Sequence, residues 1–235
     1  TYTTPATTFT TLAAPTVTTP SATALASTAA TLGGNVSGDG GSTILERGVV
    51  YSQTGTNGNP LINGTGVTKV VASGTTGAFS VAASALAPGT SYSYKAYAIN
   101  AVGTSYTSVA TFTTLAVPSV TSPTSSAVTS VAATLGGNVT SDGGGLITER
   151  GVVYSVTSGN ANPQVGGSNV VKVPTAGTTG VFTVNVVGLA VGTGYSFKAY
   201  AINSVGTAHT SATATFTTLA APTVTTPTAA SITSI

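Results

Sequence analysis

The sequence predicts an all-β protein that contains two tandem, seven-stranded antiparallel β-sandwiches. Residues 9–13 read Phe-Thr-Thr-Leu-Ala, and this passage returns at residues 112–116 and 216–220, so landmarks recur every 103 or 104 residues. Such a period fits one small domain with its own core, whereas solenoid units run to about 20–50 residues. Each period is rich in β-branched and aromatic residues, is interrupted at short intervals by Gly, Pro and Asn, and shows no helical periodicity.

The first three strands predicted in each copy are separated by turn sequences. Residues 17–19 form a β-branched opening strand, which Pro20 is expected to close because proline cannot donate a hydrogen bond to a ladder. Residues 29–36 form the second strand and lead into the turn Gly-Asp-Gly-Gly at 38–41. Residues 44–52 form the third strand, whose alternate residues are expected to face opposite sides of the sheet.

A loop separates these strands from the second half of the copy. Residues 53–65 are rich in Gly, Asn and Thr, and the two copies differ most here, as surface loops do. Four strands are predicted after it, at residues 67–72, 78–82, 92–100 and 106–115. Seven short strands in about 100 residues are typical of an antiparallel sandwich.

The repeat boundaries divide the chain into four parts. Residues 1–12 are expected to be the closing strand of a preceding repeat, 13–115 and 116–219 are whole repeats, and 220–235 are the opening strand of a following repeat. Further copies are therefore expected on both sides. Because Pro118 stiffens a junction that has no Gly/Ser linker, we expect a semi-rigid rod that rises roughly 35 Å per domain.

Charge is scarce, and its distribution excludes several classes of function. The chain has six Lys and Arg and four Asp and Glu, only 4% charged residues against about 25% in ordinary domains. They recur as pairs: Asp39/Asp142, Glu46/Glu149, Arg47/Arg150, Lys69/Lys172 and Lys95/Lys198. No basic stripe exists for nucleic acid, no cysteine exists for a disulfide or thiolate metal site, and no apolar run reaches the roughly 18 residues of a membrane helix.

Candidate catalytic and metal-binding residues are better explained as structural ones. His209 is the single histidine, and because no acid recurs near it to complete a triad, a solvent-facing strand residue is expected. Asp39 and Glu46 lie on opposite sides of a glycine turn, so an Asx turn and a strand ion pair are favoured over a glycosidase pair. One carboxylate per turn is too few for calcium. The sequence therefore predicts no enzyme, no metal and no cofactor.

One stretch of each copy carries a family resemblance. Residues 86–92 read Leu-Ala-Pro-Gly-Thr-Ser-Tyr, and with the strand that follows they resemble the second half of a fibronectin type III domain. The resemblance implies that Tyr92 and Tyr195 form tyrosine corners, whose hydroxyl bonds to upstream backbone. Val191 and Gly194 depart from the pattern, so a looser corner is expected in the second copy.

The alternation after this corner assigns the faces of the long strand. It places Tyr94, Ala96 and Ala98 in the core, with Lys95 and Tyr97 outside. The resemblance implies that the third strand pairs with this one, so Glu46 or Arg47 is expected to face Lys95. A Lys–Asn isopeptide crosslink from Lys95 to Asn35 or Asn100 is the sharper alternative, which the outward position of Lys95 disfavours. Three sequons, at Asn35, Asn63 and Asn138, are candidate glycosylation sites.

The expected function follows from the array and from a second resemblance. Residues 46–52 and 149–155 contain Glu-Arg-Gly-Val-Val-Tyr-Ser, which resembles repeats of very large secreted bacterial surface proteins. This implies part of an extracellular bacterial fibre or a cell-surface adhesin stalk. The scarcity of charge and the exposed sandwich edges predict that its partners are further copies of the repeat, with surface glycans and host-cell surfaces as candidate targets. The alternative is a spacer or carbohydrate-binding array in a secreted polysaccharide-degrading enzyme.

Overall fold

The computed structural model describes residues 9–225, and within this range every regular element is a β-strand. The first repeat contains β1 (Thr16–Thr23), β2 (Ala30–Gly38), β3 (Glu46–Gln53), β4 (Thr68–Ala72), β5 (Gly77–Ala83), β6 (Ser91–Ile99), β7 (Thr104–Tyr106) and β8 (Ala110–Thr113). The second contains β9 (Ser119–Ser126), β10 (Ala132–Ser141), β11 (Glu149–Val156), β12 (Val171–Thr175), β13 (Gly180–Val187), β14 (Gly194–Ile202), β15 (Thr207–His209) and β16 (Ala214–Thr217).

The chain divides into two compact units between Ala116 and Val117, which we call repeat 1 and repeat 2. The strands predicted within residues 1–12 and 220–235 lie largely outside the described residues, and residues 9–12 and 220–225 form no strand. Each unit contains two antiparallel sheets. Their strand orders are β1-β2-β5 and β4-β3-β6-β7 in repeat 1, and β9-β10-β13 and β12-β11-β14-β15 in repeat 2. β8 and β16 pair with β6 and β14 respectively.

The core of each repeat lies between its two sheets, which gives a sandwich-like fold. In repeat 1, Leu32 from β2 packs with Val49 from β3 and Tyr94 from β6. The glycine pair of β2 lets the sheets approach closely, because a Cβ on Gly34 would overlap the methyl group of Ala96 on the opposing sheet. In repeat 2, Gly137 meets Ala199 in the same way.

The opening strand is longer than predicted, because Pro20 does not end it. β1 continues to Thr23, and its register on β2 shifts between Thr18 and Ser21. Thr19, at this bulge, has a φ of 47°, and Ser122 before Pro123 has a φ of 53°. β1 is an edge strand, so a bulge can accommodate a residue without an N–H.

The closing strand predicted at 106–115 is instead two short strands, β7 and β8. The interruption falls at Thr107, whose Oγ1 accepts the hydrogen bond of the Ala96 N–H at 3.1 Å. A side chain thus replaces one rung of the backbone ladder, although the Thr107 N–H still donates to the Ala96 carbonyl. Repeat 2 carries one extra residue near Ala212, and there the Thr210 hydroxyl donates to the Ala212 carbonyl.

Candidate functional site

The two tyrosines of the predicted corners lie in equivalent positions. Tyr92 and Tyr195 are each only 5% exposed. The Tyr92 hydroxyl accepts a hydrogen bond from the Ala87 N–H at 2.9 Å, and Tyr195 accepts one from the Ala190 N–H at the same distance. The looser corner expected in the second copy is therefore wrong, because this bond is made to backbone and does not need the proline that Val191 replaces.

The recurrent Phe-Thr-Thr-Leu-Ala passage packs against this corner. The Phe112 ring stacks on Tyr92 at 5.4 Å and 12°. Thr114, which is 2% exposed, donates to the Ala87 carbonyl at 2.6 Å and accepts from the Thr90 N–H at 2.9 Å. Phe216 and Thr218 repeat this arrangement in repeat 2. This role of Thr114 was not predicted from the sequence, although the recurrence of Phe-Thr-Thr-Leu-Ala could have indicated a structural function for its threonines.

A Lys–Glu–Tyr cluster lies on the outer face of the larger sheet in each repeat. In repeat 1, Lys69 on β4 donates to Glu46 on β3 at 3.0 Å, and the Tyr97 hydroxyl on β6 donates to the same carboxylate at 2.6 Å. In repeat 2 the corresponding distances, among Lys172, Glu149 and Tyr200, are 2.9 and 2.6 Å. Each cluster therefore ties three neighbouring strands together.

This cluster shifts the pKa values of its acid and its phenol in opposite directions. The hydrogen bond from Tyr97 is the main influence that lowers the pKa of Glu46, with Lys69 adding to it against the opposing effect of burial. Burial first, and then Glu46, raise the pKa of Tyr97. The carboxylate therefore stays charged and the phenol stays protonated, which suits a fixed structural bond rather than proton transfer.

Tyr97 was expected outside, and its burial is a correction. It does lie on the outer face, yet it is fully buried. Tyr106 is its partner in the register of β6 and β7, and the Tyr106 hydroxyl accepts from the Ile62 N–H at 3.3 Å. The loop between β3 and β4, including the buried Pro60, therefore reaches the outer face of the sheet where Tyr97 lies.

The expected pairing of Glu46 or Arg47 with Lys95 is also wrong. Lys95 lies opposite Val50 in the register of β3 and β6, and its Nζ lies 5.8 Å from the centre of the Tyr106 ring. Glu46 instead pairs with Lys69, on the other neighbour of β3. The residues of the isopeptide alternative are not brought together, since Asn35 lies on β2 of the other sheet and Asn100 bonds to backbone.

Arg47 caps a loop at one end of the sandwich. The side chain is 7% exposed and donates to the carbonyl oxygens of four residues, Ser73, Thr75, Thr76 and Gly77, at 2.6 to 3.0 Å. Its guanidinium lies 4.9 Å from the centre of the Phe79 ring. Arg150 makes the equivalent contacts to residues 176–180 and lies 5.0 Å from Phe182.

His209 occupies the position that Tyr106 holds in repeat 1. Its Nε2 accepts from the Val165 N–H at 3.0 Å, so this nitrogen must be unprotonated. Burial, followed by the charge of Lys198, lowers the pKa of His209. It is half-buried on a strand, not solvent-facing as expected, and its ring lies 6.4 Å from that of Tyr200.

The remaining candidate residues serve turns or lie on the surface. The Asp39 and Asp142 carboxylates accept from the N–H groups of Gly41 and Gly144, as the predicted Asx turns require. Among residues 9–225, no group of three or more His, Cys, Asp or Glu side chains is arranged to hold a metal ion. Of the sequons, Asn63 is exposed in the loop after β3, while Asn35 and Asn138 are half-buried on β2 and β10.

Comparison with models of known protein families finds no match for this chain, and a search of curated proteins finds none either. In the described part of the chain, no helix is long and apolar enough to span a lipid bilayer. The assignment of function therefore depends on the geometry of the two repeats.

Proposed function

We propose that this chain is part of a structural or adhesive array of like domains, in an extracellular bacterial fibre or a cell-surface adhesin stalk. The observation that carries the proposal is that the side-chain bonding networks described above recur in both repeats and serve to hold a single domain together. Tyrosine corners, Lys–Glu–Tyr clusters and arginine caps each join strands or loops of one domain, and each occurs twice.

We further propose that each repeat is a fibronectin type III-like domain. The strand orders support this assignment. β7 and β8 pair with Tyr97–Ile99 and Ser91–Tyr94 of β6, so together they occupy one strand position beside it. Each repeat then has seven strand positions, three in one sheet and four in the other, as fibronectin type III-like sandwiches do.

The proposed partners are further copies of the same repeat. Charge repulsion between copies is weak, because only 4% of residues are charged. Edge strands with few charges also remain available for pairing. Val71 on the edge strand β4 is 53% exposed, and its counterpart on β12 is Pro174. Since proline fits at that position of β12, the Val71 N–H is expected to point away from β3.

Self-association of the 235-residue chain tests this function. Sedimentation equilibrium over a range of concentrations should show association that persists at high salt, because little of the attraction is ionic. Val71→Pro, the residue of repeat 2, should weaken association through the β4 edge without disturbing the sheet. Val49→Pro, on a central strand, is the control that should unfold repeat 1.

Two outcomes would count against the proposal. A chain that stays monomeric at every concentration would contradict self-association and leave covalent tandem linkage as the only way to build the array. Hydrolysis of a polysaccharide by the purified chain would contradict the structural role altogether.

A further inference from the structure

Two Asn-Gly steps lie in the loop between β3 and β4 of repeat 1. They are Asn57-Gly58 and Asn63-Gly64, and no other Asn in the sequence is followed by Gly. Such a step is chemically vulnerable, because the backbone nitrogen of the following residue can attack the side-chain carbon of Asn, and glycine has no Cβ to hinder the approach. Repeat 2 has Asn160-Ala161 at the first position and Gly166-Gly167 at the second.

The side chain of Asn57 is held at both ends of its amide. Its Nδ2 donates to the Thr65 carbonyl at 3.3 Å, and its Oδ1 accepts from the Asn59 N–H at 3.0 Å. In repeat 2, Asn160 makes the equivalent pair of bonds at 3.0 and 2.9 Å. The amide carbon of either residue can turn toward the next backbone nitrogen only after both bonds break.

The side chain of Asn63 is free to turn. It is exposed, and within the described part of the chain its amide has no hydrogen-bond partner. Asn63 lies in a tight turn, with a φ of 65°, in which the Gly64 N–H donates to the Leu61 carbonyl at 2.9 Å. Asn adopts this left-handed conformation more readily than most residues do. The Gly64 nitrogen therefore has a single bond to give up before it approaches the Asn63 side chain.

We infer that Asn63 is a site of spontaneous deamidation in the folded protein and that Asn57 is protected from the same reaction. The Gly64 backbone nitrogen bonds to Asn63 Cγ, and the side-chain nitrogen leaves with the Gly64 proton as ammonia, which closes a succinimide ring. Water then opens the ring at either carbonyl. The products are aspartate, with the normal backbone, and isoaspartate, in which the chain runs through the side-chain carbon. This reaction does not depend on the array proposed above.

Isoaspartate at position 63 changes how the loop lies on the sheet. The neighbouring Ile62 N–H donates to the Tyr106 hydroxyl at 3.3 Å, and Pro60 in the same loop is buried. The added backbone carbon lengthens the turn, so the bond from Ile62 should weaken. Either product also adds a carboxylate to a chain that has only four Asp and Glu residues, and it removes the Asn63 sequon because the amide is consumed.

Peptide mapping by mass spectrometry tests this site on the 235-residue chain, aged in mildly alkaline buffer. Heavy-oxygen water marks each residue that converts during the incubation, and fragment ions that end between residues 57 and 63 distinguish the two sites. In the folded chain, Asn63 should convert about tenfold faster than Asn57, because two side-chain bonds protect Asn57 and one turn bond protects Asn63. In denaturant, where these bonds are absent, the two sites should convert at similar rates.

Ala161→Gly is the matched control in repeat 2. It creates an Asn-Gly step at residues 160–161, and because the Asn160 amide keeps its two bonds, this step should convert as slowly as Asn57. The inference is overturned if Asn57 or the new step converts as fast as Asn63 in the folded chain. It is also overturned if folded Asn63 stays intact while the denatured chain converts it.

Asn63→Asp separates the effect of the new charge from that of the longer backbone. The Ile62 amide should keep its hydrogen-exchange protection in this variant and lose part of it in the aged chain that contains isoaspartate. Unchanged Ile62 protection in the isoaspartate form would refute the effect on the loop. Asn63→Gln should abolish the fast conversion in repeat 1 and leave the slow conversion of Asn57 as it was.

Discussion

Repeats 1 and 2 share an almost identical internal framework and differ where side chains reach the surface. The corner bond is 2.9 Å in both, and the Lys–Glu distances are 3.0 and 2.9 Å. In contrast, Tyr106 becomes His209, and the exposed polar residues Gln53, Thr68 and Ser84 become Val156, Val171 and Val187. Positions that bond across strands are therefore the same in both repeats, whereas surface and loop positions differ without disturbing the domain.

The largest loss of stability is expected from truncating the buried core leucines, and it should be equal in the two repeats. Leu32 and Leu135 are both fully buried in their cores. Leu32→Ala and Leu135→Ala should each lower the free energy of unfolding of their own repeat by about 3 kcal/mol, through lost burial and the cavity left behind. Hydrogen exchange measured by mass spectrometry on the intact chain resolves the repeats. A difference above about 1 kcal/mol between the two variants would show that the frameworks are not equivalent.

Replacing the capping arginines should destabilise the two repeats by different amounts. Arg47→Lys removes the planar fork that bonds to the loop carbonyls and should destabilise repeat 1 by about 2 kcal/mol. Arg150→Lys should cost repeat 2 less, because Arg150 is half-buried while Arg47 is 7% exposed. The same exchange measurement on residues 73–77 and 176–180 checks this, and a larger loss in repeat 2 would refute it.

The tyrosine corners should give smaller and equal effects. Tyr92→Phe and Tyr195→Phe each leave one backbone N–H unpaired, which should destabilise the repeat by about 1–2 kcal/mol. Tyr94→Phe is the matched control and should be nearly neutral, because repeat 2 already has Phe197 there. Chemical denaturation of the variants is the measurement. No loss of stability for Tyr92→Phe would mean that the corner bond contributes nothing.

The smallest effect is a pH response confined to repeat 2. The folded state lowers the pKa of His209 below its ordinary 6.5, so the neutral ring contributes stability that is present above pH 6.5 and lost as the pH falls toward the folded value. Protonation would break the bond from Val165 and bring a second cation beside Lys198; Tyr200, which bonds to Glu149, is the other titratable neighbour.

Hydrogen exchange at Val165 measures this response. The protection factor of the Val165 amide, which compares its exchange rate with that of an unfolded chain at the same pH, should fall below pH 6.5 in the unmodified chain and lose this dependence in His209→Tyr. Tyr106→His should transfer the dependence to Ile62 in repeat 1. Both repeats should weaken below pH 4.5, because Glu46 and Glu149 have lowered pKa values and contribute stability only while ionised. Equal responses of Ile62 and Val165 at pH 6 in the unmodified chain would contradict the assignment to His209.

Much of the candidate framework could be read from the sequence. Alternation placed Tyr94, Ala96 and Ala98 in the core, and all three are buried. The corner residues were identified by a resemblance, and the turn aspartates by local turn chemistry. The burial of Tyr97 could not be predicted in this way, because alternation assigns a residue to a face but does not reveal which loop later covers that face.

The period, the strand-rich character and the inward residues could all be predicted from the sequence, since they depend on local preference and on a two-residue alternation. The bonding of Glu46 to Lys69 and Tyr97 rather than to Lys95 depends on the folded molecule, because β3 has two neighbours and the register selects the partners. The burial of Ser52 Oγ without a hydrogen-bond partner among the described residues likewise depends on tertiary packing. Contacts between residues far apart in the chain depend on strand order and loop path, which no short stretch of sequence encodes.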